Sequence, residues 1–166
     1  ENLTCTPDAE IRNCHFGSCR ARGLLVSTPG KVVIENNIFE SSGSAILIAG
    51  DANAWYESGA VKDVLIRNND FRYPCNSLQF CEAVISIDPE IPTPEQKYPY
   101  HRNIRIVDNT FHLFDYPILF ARSVDGLTFS DNTLIRDTTY QPYHYRKEGI
   151  TLEACKSVVI SNNKIE

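Results

Sequence analysis

IENNIF, residues 34–39, recurs as IRNCHF from Ile11, IRNNDF from Ile66, IVDNTF from Ile106, FSDNTL from Phe129 and ISNNKI from Ile160. The shared pattern is apolar, any, Asn or Asp, Asn, any, apolar. Cys14 is the single departure at the fourth position, where Asn37, Asn69, Asn109, Asn132 and Asn163 stand in line. A motif repeated at a spacing of about 20–50 residues marks a solenoid, in which each repeat buries its apolar face against its neighbours. A second short β-rich run follows each of the first five hexads: GLLVST from Gly23, AILIAGD from Ala45, AVISID from Ala83, PILFAR from Pro117 and GITLEA from Gly149. The shortest steps, Ile11 to Ile34 and Ile106 to Phe129, leave no room for a βαβ unit, which takes about 30 residues, and no helical period appears. The repeats predict an all-β protein, a single-stranded parallel β-helix of about six coils. Coils stacked about 4.8 Å apart place the apolar positions in internal ridges and the Asn column in a ladder of amides. Each amide has donors and acceptors for the backbone at a turn and for its neighbours above and below.

With 166 residues, 42% of them hydrophobic and 22% charged, the chain has the composition of a globular protein with a core to bury. A formal net charge of −5 and the lack of any Lys or Arg run argue against nucleic acid or an acidic membrane as partner. No stretch approaches the roughly 18 apolar residues that span a bilayer. The opening ENLTCTPDAE has neither the basic nor the apolar region of a signal peptide, and the sequence contains no Met. Residues 1–166 are therefore expected to form one parallel β-helix domain, a piece of a longer chain, and the missing leader says nothing about compartment. None of the six cysteines forms a CxxC pair, so no zinc site is predicted. Cys75 and Cys81 flank a short loop, where a disulfide and buried thiols are both open readings.

Insertions in a solenoid map to loops, often on a binding face. DANAWYESGAVKD (51–63) and DPEIPTPEQKYPYHR (88–102) follow the second run of two adjacent coils, whereas RYPCNSLQFCE (72–82) and RDTTYQPYHYRKE (136–148) precede it in the third and fifth. With the second runs aligned on Leu24, Ile46, Val84, Ile118 and Ile150, Asp51, Asp88 and Arg122 project from neighbouring coils at one corner. Trp55, Tyr56 and Glu57 lie on the first loop beside them and Glu90 on the second. Such acids can also simply cap turns and pair with the Arg. Their convergence with the single Trp favours a carbohydrate site, an aromatic plane ringed by carboxylates that accept from sugar hydroxyls.

Glycoside hydrolysis needs one protonated and one ionised carboxyl group. The catalytic candidates are Asp51, Glu57, Asp88 and Glu90; Trp55, Tyr56, Arg122 and Arg22 are the candidates for substrate contact. Glu57 beside Trp55, or Glu90 beside Pro89 and Ile91, would suit the acid, since apolar surroundings raise a carboxyl pKa. Asp51 and Asp88 would then hold or activate water. No metal ligand set and no cofactor motif is present, and His101 and His144, in loops, are expected at the surface.

The stretch ARGLLVSTPGKVVIENNIFESSGSAILIAGDANAWYESGAVKDVLIRNNDF, residues 21–71, resembles glycoside hydrolase family 110, most specifically in GDANAWYESGAVKDVLIRNN. The resemblance implies a right-handed β-helix and an exo-acting bacterial α-1,3-galactosidase that inverts configuration without a metal. It also implies a terminal α-1,3-linked galactose as substrate, as on blood-group B antigens, and a secreted or periplasmic location. Two rival readings share the architecture: a polysaccharide lyase using Ca²⁺ held by Asp51 and Asp88 with Arg122 nearby, and a non-catalytic sugar-binding module. Open end coils would favour self-association.

Overall fold

The computed structural model describes residues 6–51, 55–56, 59–73, 81–93 and 97–166. Among them every regular element is a strand, and the strands form three parallel sheets. Sheet A holds Ala9–Arg12, Lys31–Glu35, Asp63–Arg67, His101–Val107, Val124–Ser130 and Lys156–Ser161 in that order. Sheet B stacks His15–Cys19, Ile38–Ser41, Asp70–Arg72, Thr110–Leu113, Thr133–Arg136 and Lys164–Ile165. Sheet C stacks Arg22–Val26, Ser44–Ile48, Ile85–Ile87, Leu119–Arg122 and Ile150–Glu153. Each strand pairs in parallel with the equivalent strands one coil before and one coil after, so the chain passes through A, B and C in every coil. This is the parallel β-helix that the hexads predict.

The hexad is the corner between sheets A and B, and each of its constant positions has a separate cause. The first residue ends a sheet A strand inside the core: Ile34, Ile66, Ile106 and Phe129 sit one above another, at most 1% exposed. The third residue turns the corner in the left-handed region, with φ between 53° and 58° at Asn13, Asn36, Asn68, Asp108, Asp131 and Asn162. That conformation crowds Cβ in most residues, and Asn and Asp tolerate it best after Gly. The fourth residue is the ladder. Asn69 Oδ1 accepts both the backbone N–H and the side-chain amide of Asn37, each at 3.0 Å, while its own amide donates to Ile34 O at 2.9 Å and to Asn109 Oδ1 at 3.0 Å. The same pattern repeats through Asn109, Asn132 and Asn163. Successive rungs are 32, 40, 23 and 31 residues apart, so coils of unequal length share one corner. Cys14, which has no amide, continues the column only as a backbone donor to Asn37 Oδ1 at 2.9 Å.

The sixth residue is the second of each sheet B strand, and in the first four coils it is a Phe. Phe16, Phe39, Phe71 and Phe111 stack at centroid spacings of 4.8, 5.1 and 4.7 Å, so the pitch of the sheet sets the spacing of the aromatic column. Fully burying each ring contributes about 1.5–3 kcal/mol. The core is therefore a set of vertical columns, and everything outside them is loop.

Candidate active site

Sheet C carries the site, and its register differs by one residue from the sequence alignment. Leu24 pairs with Ile46, Ile46 with Ile85, Ile85 with Leu119 and Leu119 with Ile150. The third and fourth coils therefore align on Ile85 and Leu119, not on Val84 and Ile118. Strand side chains alternate faces, so a one-residue shift exchanges inside for outside. In the true register Arg122 faces Glu153 on the next coil, and Asp88 follows Ile87, the partner of Ile48. Asp51 instead pairs across coils with Glu90 in an isolated parallel bridge, where Glu90 N–H donates to Gly50 O at 2.9 Å.

These strand ends border a cavity of about 460 Å³. Asp51, Asp88, Glu90, Trp55 and Arg22 line it, and so do Glu82 and Arg20; Leu47, Ala49 and Ser86 of sheet C contribute apolar and hydroxyl surface. Asp51 is 2% exposed, and its Oδ2 accepts the Trp55 backbone N–H at 2.7 Å, which anchors the start of the first loop. Trp55 itself is 78% exposed, a rim residue and not a core one. The ring of Tyr100 closes against Gly50, where a Cβ would come within 2.5 Å of it, so only glycine allows this approach immediately before Asp51.

Asp88 lies beside Arg122, with Nη1 to Oδ1 at 3.0 Å, and Arg122 Nε reaches Glu153 at 2.8 Å. Burial raises the Asp88 carboxyl above its ordinary value; the Arg122 charge opposes this, and the carboxylates of Glu82 and Glu153 reinforce it. The surroundings of Asp88 thus push its carboxyl group toward holding a proton.

Not every expected residue joins the cavity. Arg122 stands next to it, committed to two carboxylates, instead of lining it. Tyr56 is 79% exposed with φ 53° and does not line it either. Glu57 lies outside the described residues. His101 and His144, expected at the surface, are both fully buried. His101 Nδ1 accepts the Val61 N–H at 3.1 Å, and burial lowers its pKa to about 3. Cys81 is disulfide-bonded, whereas Cys14 and Cys19 are free thiols; Cys75 lies outside the described residues. Glu82, Arg20 and Ser86 were missed. Glu82 ends the insertion that precedes the third sheet C strand, and its place in the cavity follows from tertiary contacts alone.

A family model, the right handed beta helix region, matches residues 2–166. The chain belongs to the right-handed β-helix family. Within this family it is 95% identical, over its whole length, to α-1,3-galactosidase B of Bacteroides thetaiotaomicron, of which it covers 27%. It is 48% identical, again over its whole length, to α-1,3-galactosidase A of Bacteroides fragilis, covering 28% of that protein. Over 99% of the chain it is 42% identical to α-1,3-galactosidase B of Akkermansia muciniphila, covering 21% of it. The chain thus spans about a quarter of the length of the curated relatives it matches, and the β-helix coils described above are the part that they share with it.

Proposed function

We propose that this β-helix segment supplies the galactose-binding core of an α-1,3-galactosidase. The observation that carries the reading is a carboxylate-lined cavity with a tryptophan at its rim, in a segment 95% identical to a protein named α-1,3-galactosidase B. A galactose ring packs its C–H face on an indole, and its hydroxyls donate to carboxylates. Asp88, whose burial raises its carboxyl pKa, is the proton donor to the departing glycosidic oxygen. Asp51, held by the Trp55 backbone N–H, activates the attacking water with Glu90 beside it. With the acid protonating the leaving oxygen on one face of the sugar and the base-held water attacking the anomeric carbon from the other, the anomeric centre inverts.

The lyase reading is disfavoured by Arg122, which the alternative needs near the substrate and which two carboxylates hold in place. A secreted or periplasmic location accords with the disulfide at Cys81, since such bonds persist in oxidising compartments. The test uses a full-length enzyme carrying this segment, supplied with α-1,3-linked galactosides and followed by the anomeric proton signals of released galactose. β-Galactose should appear first and mutarotate afterwards. Initial α-galactose would overturn the inverting chemistry, and an unsaturated product or no release would overturn the galactosidase reading.

A further inference from the structure

Glu82 and the segment that grips it are not explained by the acid and base roles above. Its Oε2 receives two donors from the fifth-coil insertion: Arg146 Nε at 2.5 Å and the Tyr145 hydroxyl. Arg146 lies 64 residues away in sequence. Both donors end on one oxygen; Oε1 accepts nothing from the described residues, and Glu82 lines the cavity. A cavity-lining carboxylate with one oxygen clamped and the other without a bond to the described residues is oriented without being satisfied.

The clamp is itself built in. Asp115, 4% exposed, accepts the backbone N–H groups of Tyr116, Tyr143 and His144, each at 2.8 Å. His144, fully buried, accepts the Arg146 N–H on Nδ1 at 3.0 Å. That bond leaves Nε2 as its donor, and Nε2 lies 3.0 Å from Cys81 O. The insertion is thereby fastened to the turn after the sheet B strand Thr110–Leu113 and to the residue before Glu82. The Arg146 guanidinium also covers the ring of Phe120, its carbon 4.6 Å from the ring centroid, which restricts its rotation. Every one of these contacts narrows the positions open to Glu82.

We propose that Glu82 is a substrate-recognising carboxylate of the galactoside cavity, accepting one sugar hydroxyl on Oε1, and that Arg146 and Tyr145 are positioning residues that act through it. This rests on the galactosidase reading above and adds a specificity-determining residue to it.

The experiment uses the full-length enzyme carrying this segment and aryl α-galactosides, the parent sugar and its 2-, 3-, 4- and 6-deoxy analogues. For Glu82→Gln, kcat/KM on the parent sugar should fall by about 10- to 100-fold, as expected for a lost hydrogen bond to a charged group. On the analogue lacking the recognised hydroxyl, the same variant should match the unsubstituted enzyme within about twofold. Tyr145→Phe, which removes one oxygen and no bulk, should show a smaller loss with the same analogue dependence, and Arg146→Met should follow Glu82→Gln. An equal loss on all four analogues would mean that Glu82 acts through the structure alone and would overturn the proposal, as would undiminished turnover of the parent sugar by Glu82→Gln. An unsubstituted enzyme with no α-galactosidase activity would instead remove the reading on which the proposal rests.

Discussion

Substituting Asn109 by Ala removes the middle rung of the amide ladder, and the cost follows from the groups it leaves behind. Asn109 Oδ1 accepts the backbone N–H and the side-chain amide of Asn69, both at 3.0 Å, and its amide shares its two hydrogens among Ile66 O at 3.0 Å, Val107 O at 2.9 Å and Asn132 Oδ1 at 3.0 Å. Asn69 is 2% and Asn109 1% exposed, so water cannot replace the lost acceptor. Two buried donors on Asn69 become unsatisfied, each costing about 1–3 kcal/mol. Adding the space vacated by the side chain gives an expected loss of about 3–5 kcal/mol. Asn163→Ala is the internal control. In residues 1–166 taken alone it removes the same pair of bonds from Asn132, but from the last coil, where Asn163 is half-buried and water can enter once its side chain is gone, so its loss there should stay below about 1.5 kcal/mol. Urea unfolding followed by far-UV circular dichroism measures both. In a one-dimensional stack a broken central rung should also uncouple the coils on either side, lowering the urea slope or splitting the transition. Equal losses for the two variants, or less than about 1 kcal/mol for Asn109→Ala, would refute the view that satisfaction of buried amides holds the corner.

Three further outcomes are expected. His101 has its pKa lowered by burial from 6.5 to about 3, so the unfolded chain takes up a proton that the folded chain refuses; stability falls as pH drops below 6.5, by about 2 kcal/mol between pH 7 and pH 5. In His101→Gln, which can still accept the Val61 N–H, that part of the pH dependence should vanish; an unchanged slope would discount His101 as its source. Trp55→Ala, at a site 78% exposed, should change unfolding free energy by less than about 0.5 kcal/mol yet weaken galactoside binding by at least about 1 kcal/mol, read by calorimetric titration; loss of folding would contradict the rim placement. Asp51→Asn in a full-length enzyme carrying this segment should lower kcat by several powers of ten with little change in melting temperature, and normal turnover would exclude Asp51 from the reaction.

The corner between sheets A and B was legible in the sequence because three independent physical demands fall within four residues. A core position needs an apolar side chain, a left-handed turn needs Asn or Asp, and a buried ladder needs an amide. Together they leave a hexad that survives coils of unequal length. Sheet C makes no such demand. Val84, Ile85, Ile118 and Leu119 are all apolar and all at most 7% exposed, so neither alternation nor burial tells which of two neighbours points inward. The alignment slipped there by one residue, and only the backbone pairing of Ile85 with Ile46 and Leu119 corrects it.

The same reasoning explains which parts of the site could be read. Asp51, Asp88 and Glu90 follow sheet C strands directly, so the stack carries them to one place however the register is drawn by one residue. Glu82 and Arg146 belong to insertions before those strands, where the repeat exerts no control, and a 64-residue separation leaves no trace in local pattern. His101 and His144 were misjudged for a related reason. Both lie in polar insertions, yet each ring is fully buried and bonded to backbone: His101 Nδ1 accepts the Val61 N–H, and His144 accepts the Arg146 N–H of its own insertion and faces Cys81 O of another. A solenoid thus divides its information. The repeat encodes the frame and the residues attached to it, while the loops encode the cavity wall through contacts that become visible only once the coils are stacked.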